Sequence, residues 1–555
     1  MIKRLLFMTM IIMSVFAVTA CQTDTTTLTA IAGEEGYLGK YDEEVLVHTI
    51  KYIDPTASSN LARLTSLTGE TLEDNRWIRG FKNDMNVQFE YLITGSGEAF
   101  QTQWAGLMAT GDLPDVFSVG FADLGELAQN GFLYDLTEAY ETYASPLLKE
   151  ILAEAGNEAL EAATIDGKLY GIPQVVSKYD SYKYLWIRQD WMAAVGVTSG
   201  PKTVYELIDL MEKFVKDDPD QNGIDDTYAF ALSNDLWHNL EGFFSCFGAY
   251  PDSWVLDPAD QKIKLGAIQD AMIEPMTILQ DMYLDGWLNP EFITLDYTKS
   301  KADVANGKTG IYMGAHYNAS DFLLPSKNKD ADADWAVFAW PGRTEGETVV
   351  HQLELGVNDV IVANSAFANP EIAIKMLNYY YEKLYGETGN YDYWGNDQVD
   401  FIWAMGPLFS YRPTVNLVPY LDIQAYYAGT KLETEIVGVS RNYFKNVVTD
   451  NRYDWQIMFG RIAPNATVMG GQTAGYFLNL VVNGEIPTFQ NQFYGSPTPA
   501  MGIVGSQLGI DALEFFTKAI RYEKNMTSDF DAFREYWLTN GGSVITNEIN
   551  ARYGR

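Results

Sequence analysis

The sequence predicts an α/β protein organised on a parallel sheet. Three observations predict it. After residue 44, apolar runs of strand length alternate with stretches of helical period. Glycine, proline and aspartate punctuate the joins. Aliphatic and aromatic side chains are abundant enough for a sizeable core in a chain of 555 residues.

The elements follow in order. Val45 to Ile53 reads as a buried strand, and Leu72 to Phe81 as a helical stretch. Met85 to Ile93 is a second strand. Phe100, Trp104, Leu107 and Met108 fall at helical spacing, and Gly111 ends that helix. Pro114 to Val119 is a third strand. Strand, helix, strand, helix, strand is the order of a parallel sheet with crossover helices. Thr203 to Glu206 has the form of a capping box, with Leu207, Met211 and Phe214 as the buried stripe behind it. Near the C-terminus, Ile510, Leu513, Phe516 and Ile520 share one helical face. Phe530, Phe533 and Trp537 share another, and Gly541-Gly542 stops that helix. No repeat of solenoid period is visible.

The N-terminus has a different logic. Lys3 and Arg4 precede an almost wholly apolar run from Leu5 to Val18, closed by Thr19-Ala20-Cys21. This is the layout of a secretory signal peptide over residues 1–20, and the run is short for a membrane span. The small residues before Cys21 resemble the lipobox of bacterial lipoproteins, which implies cleavage before Cys21 and a lipid on its sulfur. An ordinary signal peptide with a chance cysteine is the alternative. Residues 21–44, rich in Thr, Gly and acids, read as a tether. No second apolar run is long enough to cross a bilayer, so the body is expected to be soluble at the outer face of the membrane.

Charge and cysteine use narrow the partners. A net charge of −36 repels nucleic acid. It also disfavours a polyanionic ligand, unless a local basic pocket exists. With Cys21 lipidated, Cys246 alone remains, so no intramolecular disulfide can form. Cys246 lies in Phe-Phe-Ser-Cys-Phe and reads as core, a reactive thiol being the other reading. Aromatics make up 14% of the chain, and their flat faces suit the C–H faces of sugar rings.

The sharpest local motif runs from Asp218 to Asp226. Asp218, Asp220 and Asn222 supply oxygens at positions one, three and five, and Gly223 permits a sharp bend. The Ile224 carbonyl and Asp226 follow at seven and nine, as in a calcium loop. Position twelve is Ala229, not the bidentate Glu of an EF-hand. The alternative is a plain acidic turn.

Several stretches resemble the family 1 extracellular solute-binding proteins of ABC importers. Gly111 to Phe117, Leu127 to Leu133, Asp166 to Pro173, Tyr184 to Trp191, Pro201 to Thr203 and Asn306 to Met313 carry the likeness. Pro497 to Met501 and Gly541-Gly542 echo the long Gram-positive lipoproteins of that group. The resemblance implies a periplasmic-binding-protein-like type II fold, with two discontinuous α/β lobes, a hinge and a ligand cleft. Crossings are expected near Pro173, Tyr312 and Asn358. Residues 45–173 plus 312–358 then form the N-terminal lobe. Residues 174–311 plus 359–555 form the C-terminal lobe, with extra C-terminal helices. Some relatives carry a structural calcium, which implies that role for the acidic loop.

The resemblance also implies ligand contacts from loops at the cleft edges. The matching candidates are Asp54, Phe121, Asp123, Trp237, His316, Tyr317, Trp394, Trp403, Tyr411 and Arg412. Asp123 also suits an N-cap, with Glu126 three residues on. The implied function is capture of an oligosaccharide or other small solute by a monomer, for delivery to an ABC permease. Two rivals remain, a secreted glycoside hydrolase and a glycan-binding adhesin. The four histidines are scattered, and neither His-Glu-x-x-His nor Gly-x-Ser-x-Gly occurs. Gly307-Lys308-Thr309 lacks the earlier glycine of a phosphate loop, since Ala302 stands there. A glycosidase needs only two carboxylates roughly 5 to 10 Å apart, which spacing cannot exclude.

Overall fold

The computed structural model describes residues 36–53, 55–395, 402–460, 469–522 and 525–555. Cys21 and Asp54 lie outside the described residues, as does most of the expected leader and tether. Among the described residues, no helix is long and apolar enough to cross a membrane.

Residues 36–44, expected in the tether, are docked instead. Tyr41 is buried, and its hydroxyl donates to Glu371 at 2.6 Å. The Lys375 ammonium lies 4.5 Å from the centre of the same ring. A tyrosine that buries its ring and finds a partner for its hydroxyl holds its segment to the core.

Two separate hydrophobic cores organise the chain. The first gathers side chains from Tyr41 to Val175 and from Val360 to Val415. Its strands Val45–Tyr52 and Val87–Gly95 run parallel. The helix Arg76–Met85 joins them. The Asn75 side chain caps it by accepting from the Trp77 and Ile78 amides, and Trp77, Ile78, Phe81 and Met85 supply its buried face. Strand Val116–Val119 follows, with the Asp115 amide donating to the His48 carbonyl at 2.9 Å. Strand Val357–Ala363 returns from the far end of the chain and pairs antiparallel with Val116–Val119 and with Ile172–Val175. A parallel pair of strands and a separate three-stranded antiparallel sheet therefore share this core, where sequence order alone predicts one parallel sheet.

The second core gathers side chains from Tyr182 to Leu353 and from Leu417 to Ile549. Its central strand, Tyr184–Arg188, is buried throughout. It is flanked antiparallel by Ile311–Gly314 and Trp335–Phe338. The C-terminal helices Ser506–Arg521, Met526–Trp537 and Ser543–Arg552 pack on this core. Cys246 is buried here, and burial pushes its thiol well above the usual range.

The chain passes between the cores three times: after Val175, between Leu353 and Val357, and between Val415 and Leu417. Tyr312 was expected at a crossing and is not at one. It is fully buried in the second core, stacked on Phe322 at 4.3 Å, in a strand paired to Tyr184–Arg188. Side chains of 312–353 thus pack in the second core, and those of 360–394 and 402–415 in the first, the reverse of the expected assignment.

Candidate functional site

Two cavities lie where the crossings meet the cores. The larger, of about 690 Å³, is set in the first lobe at the ends of its strands. Lys51, Tyr52 and Ile53 line it from the end of the first strand, and Ser118, Val119 and Gly120 from the end of the third. Gln174 and Asn358-Asp359, from two crossing segments, close one side. Phe100, Trp104, Trp403 and Phe409 give it an aromatic wall. The smaller cavity, about 280 Å³, is bounded by both lobes. Trp394, Trp403, Tyr411 and Val415 line it from the first core. His316, Tyr317, Asn442, Tyr443 and Trp455 line it from the other side. Trp403 lines both cavities.

The aromatic wall is a packed assembly. Trp394 and Trp403 stack at 5.3 Å with planes 18° apart. Tyr411 meets Trp403 edge-on at 5.5 Å, and Phe409 lies 4.6 Å from Trp403. Such contacts hold the rings in one orientation. In the larger cavity, Trp104 Nε1 donates to Asp123 Oδ2 at 2.8 Å. Gln174 Nε2 donates to Ser118 Oγ at 2.7 Å, while its Oε1 accepts from the Phe409 amide at 3.0 Å. Burial, with the nearby Asp123 charge, pushes the Asp359 carboxyl above its ordinary range.

Asp180, at the first crossing, ties the smaller cavity together. It accepts from Asn416 Nδ2 at 2.7 Å and from the Tyr411 hydroxyl at 3.3 Å, and His316 Nδ1 lies 3.9 Å away. Asn416 in turn accepts from the Tyr443 hydroxyl. Residues of both lobes and two crossings therefore meet on one carboxylate. Burial raises the Asp180 pKa despite His316 and these hydrogen bonds. Burial likewise lowers that of His316, against the pull of Asp180.

The structure brings Asp123, His316, Tyr317, Trp394, Trp403 and Tyr411 to the two cavities. Asp123 is not an N-cap. Gly120 holds that position, and Asp123 sits within the first turn of helix Phe121–Gln129. Phe121 opens that helix and packs against the first core without lining either cavity. Trp237 lines neither cavity; half-buried, it packs against the second core, its ring meeting Phe244 at 5.8 Å and Phe516 at 5.1 Å. Arg412 stands outside both linings. Its guanidinium donates to Glu154 at 3.1 Å and Glu150 at 2.5 Å.

Sequence reasoning missed Lys51, Asp180, Gln174 and Asp359. It also missed a buried charged cluster in the second lobe, where Lys183 Nζ lies 3.4 Å from Glu241. Burial pushes Glu241 up to about 7, and Asp252 up to about 6. Neither lines the two cavities.

The acidic loop is wound tightly, with positive φ at Asp218, Gln221 and Gly223. Asp218 accepts from the Asn222 and Gly223 amides at 3.1 and 3.0 Å. Asn222 Nδ2 donates to Asp220 at 2.7 Å, and its Oδ1 accepts from the Ile224 amide at 2.7 Å. Asp226 is ion-paired with Lys308. Among the described residues, no group of three or more His, Cys, Asp or Glu is gathered as a metal site requires.

Two cores, three chain crossings and a cleft between the lobes define a two-lobed ligand-binding protein. The family model for bacterial extracellular solute-binding proteins matches residues 66–383, and the chain belongs to that family. The fructooligosaccharide ABC transporter substrate-binding protein FusA of Streptococcus pneumoniae is 24% identical over 310 residues, covering 54% of this chain and 56% of the relative. The polygalacturonan/rhamnogalacturonan-binding protein YtcQ of Bacillus subtilis is 27% identical over 213 residues, covering 37% of this chain and 40% of the relative. The chain thus matches between two fifths and just over half the length of these relatives. The solved structure of FusA with kestose has the same fold at a TM-score of 0.60, with 17% identity, over 92% of this chain and 99% of that one. The alginate-binding protein AlgQ2, solved without calcium, has a TM-score of 0.57 at 15% identity, over 93% and 99% of the two chains.

Proposed function

We propose that this protein captures an oligosaccharide in the cleft between its lobes and delivers it unaltered to the permease of an ABC transporter. The carrying observation is Trp403. It is one stacked indole shared by a cavity of the first lobe and a cavity bounded by both lobes. A ligand spanning both cavities would be a chain of rings, and closing the lobes would enclose it. Hydroxyl partners stand around that wall in Asp123, Gln174, Asp359 and Asp180. Relatives named for fructooligosaccharide and for polygalacturonan binding support the same class of ligand.

In this reading the protein works as a monomer at the outer face of the membrane, held there by a lipid on Cys21. It performs no chemistry. The rival, a glycoside hydrolase, would have to use the two carboxylates of the larger cavity, Asp123 and Asp359. One oxygen of Asp123 accepts from the Trp104 indole, which leaves the other to meet a sugar hydroxyl.

The acidic loop belongs to this proposal as a structural calcium site. Asp218, Asp220, Asn222, the Ile224 carbonyl and Asp226 would supply the oxygens. Burial and the adjoining Asp218 raise the Asp220 pKa, a crowding that a divalent cation relieves. Asp226 would have to leave Lys308 to join. Solved neighbours include a FusA variant described as an EF-hand mutant.

The function is tested by thermal shift of the purified protein across neutral and acidic oligosaccharides. A bound sugar at a hundred times its Kd stabilises by about 2.7 kcal/mol, so the melting temperature must rise with at least one of them. A panel that leaves melting unchanged at millimolar sugar sinks the proposal.

A further inference from the structure

The larger cavity is lined by one cationic side chain, and among the described residues no carboxylate pairs with it. Lys51 is the sole lysine, arginine or histidine among its lining residues. Its Nζ donates to the Gly406 carbonyl at 2.6 Å, and no carboxylate of the described residues pairs with it. Neither acid of the cavity pairs with Lys51: Asp123 accepts from the Trp104 indole and Asp359 from the Asn358 side-chain amide at 3.2 Å. An ammonium carries three donors, so one carbonyl leaves two free to meet solvent or a ligand. Setting a charge into a largely apolar cavity without a counter-ion is costly. Proteins tolerate that cost where a ligand supplies the missing charge.

We propose that Lys51 is an anion-recognising point, so that the sugar chain bound in the first-lobe cavity carries a carboxylate, as a uronic acid does. This rests on the oligosaccharide reading above and names the class of sugar. The geometry divides the labour. Phe100, Trp104 and Trp403 offer ring faces, Asp123 and Asp359 accept from hydroxyls, and Lys51 takes the acid group. Burial lowers the Lys51 pKa to about 8, which still leaves the ammonium mostly protonated at neutral pH. The inference also answers the net charge of −36, which repels an acidic ligand at long range. A cavity-lining cation with no carboxylate partner among the described residues is the local exception such a ligand needs, since charge-assisted hydrogen bonds are about twice as strong as neutral ones.

Titration calorimetry at pH 7 tests this on the full-length protein, with trigalacturonate, its methyl ester and neutral kestose. The methyl ester removes the charge and little else. Trigalacturonate is expected to bind about tenfold tighter than its ester. Lys51→Met is expected to erase that preference, acid and ester then binding within about threefold of each other. A wild-type protein that binds ester and acid equally overturns the proposal without any variant. So does a Lys51→Met protein that keeps the preference. Kestose binding with neither galacturonate binding overturns it too, and leaves the oligosaccharide reading standing. No binding of any sugar ends both.

Discussion

Trp403 and Trp237 offer a paired experiment, because one lines both cavities and the other is packed into the second core. A tryptophan buries up to about 250 Å² in full, and a ligand ring covering one part of it removes roughly a third of that. At about 25 cal/mol per Å², some 80 Å² corresponds to about 2 kcal/mol, or roughly thirtyfold in Kd. Trp403→Ala should therefore weaken sugar binding by about that factor, with some loss of stability from the broken stack on Trp394. Trp237→Ala removes contacts with Phe244 and Phe516 in a partly buried site. It should cost about 2 to 3 kcal/mol of stability and leave Kd within about twofold. The assays are titration calorimetry for Kd and urea unfolding of the ligand-free protein for stability. A Trp403→Ala protein that binds normally would refute the cavity assignment. A Trp237→Ala protein that folds stably but no longer binds would place Trp237 in the site.

The other predictions are narrower. His351 is buried between the rings of Tyr182 and Trp340, and burial pushes its pKa down to about 3. The unfolded chain takes up that proton below about pH 6.5 while the folded protein does not, so stability is lost as pH falls from there. Between pH 7 and pH 5 this residue should account for about 2 kcal/mol, and urea unfolding of His351→Gln should show a correspondingly shallower loss. Equal losses in both proteins would count against it. Arg412→Ala should leave sugar affinity unchanged and cost about 1 kcal/mol of stability, since its guanidinium is taken up by Glu150 and Glu154. A large change in Kd would put Arg412 back in the site. Calcium should raise the melting temperature, chelator should lower it, and Asp220→Asn should abolish the difference. A melting curve indifferent to both treatments removes the metal from the account.

What the sequence revealed and what it hid divide on physical lines. The first strands and helices of the first lobe were legible because neighbours in sequence are neighbours in space. Strand Ile311–Gly314 was not, because a strand buried on every side carries no face pattern and does not announce its core. The crossing between Val415 and Leu417 left no local signal at all. Trp403 and Trp237 look alike in sequence, and only the distant Phe516 separates their roles. Asp180 is one acid among 74 acidic residues, and its importance comes from Tyr411 and Asn416, far along the chain. Lys51 follows a break in register between Thr49 and Ile50, an irregularity that strand alternation does not anticipate.

The central claim is capture without chemistry. The most direct measurement incubates the purified protein with a panel of oligosaccharides and determines, by mass spectrometry, the sugar retained and the sugar released over time. The account predicts one retained chain per protein, recovered at its original mass, with no shorter products. Fragments accumulating beyond the amount of protein would contradict it and make Asp123 and Asp359 the residues to test next.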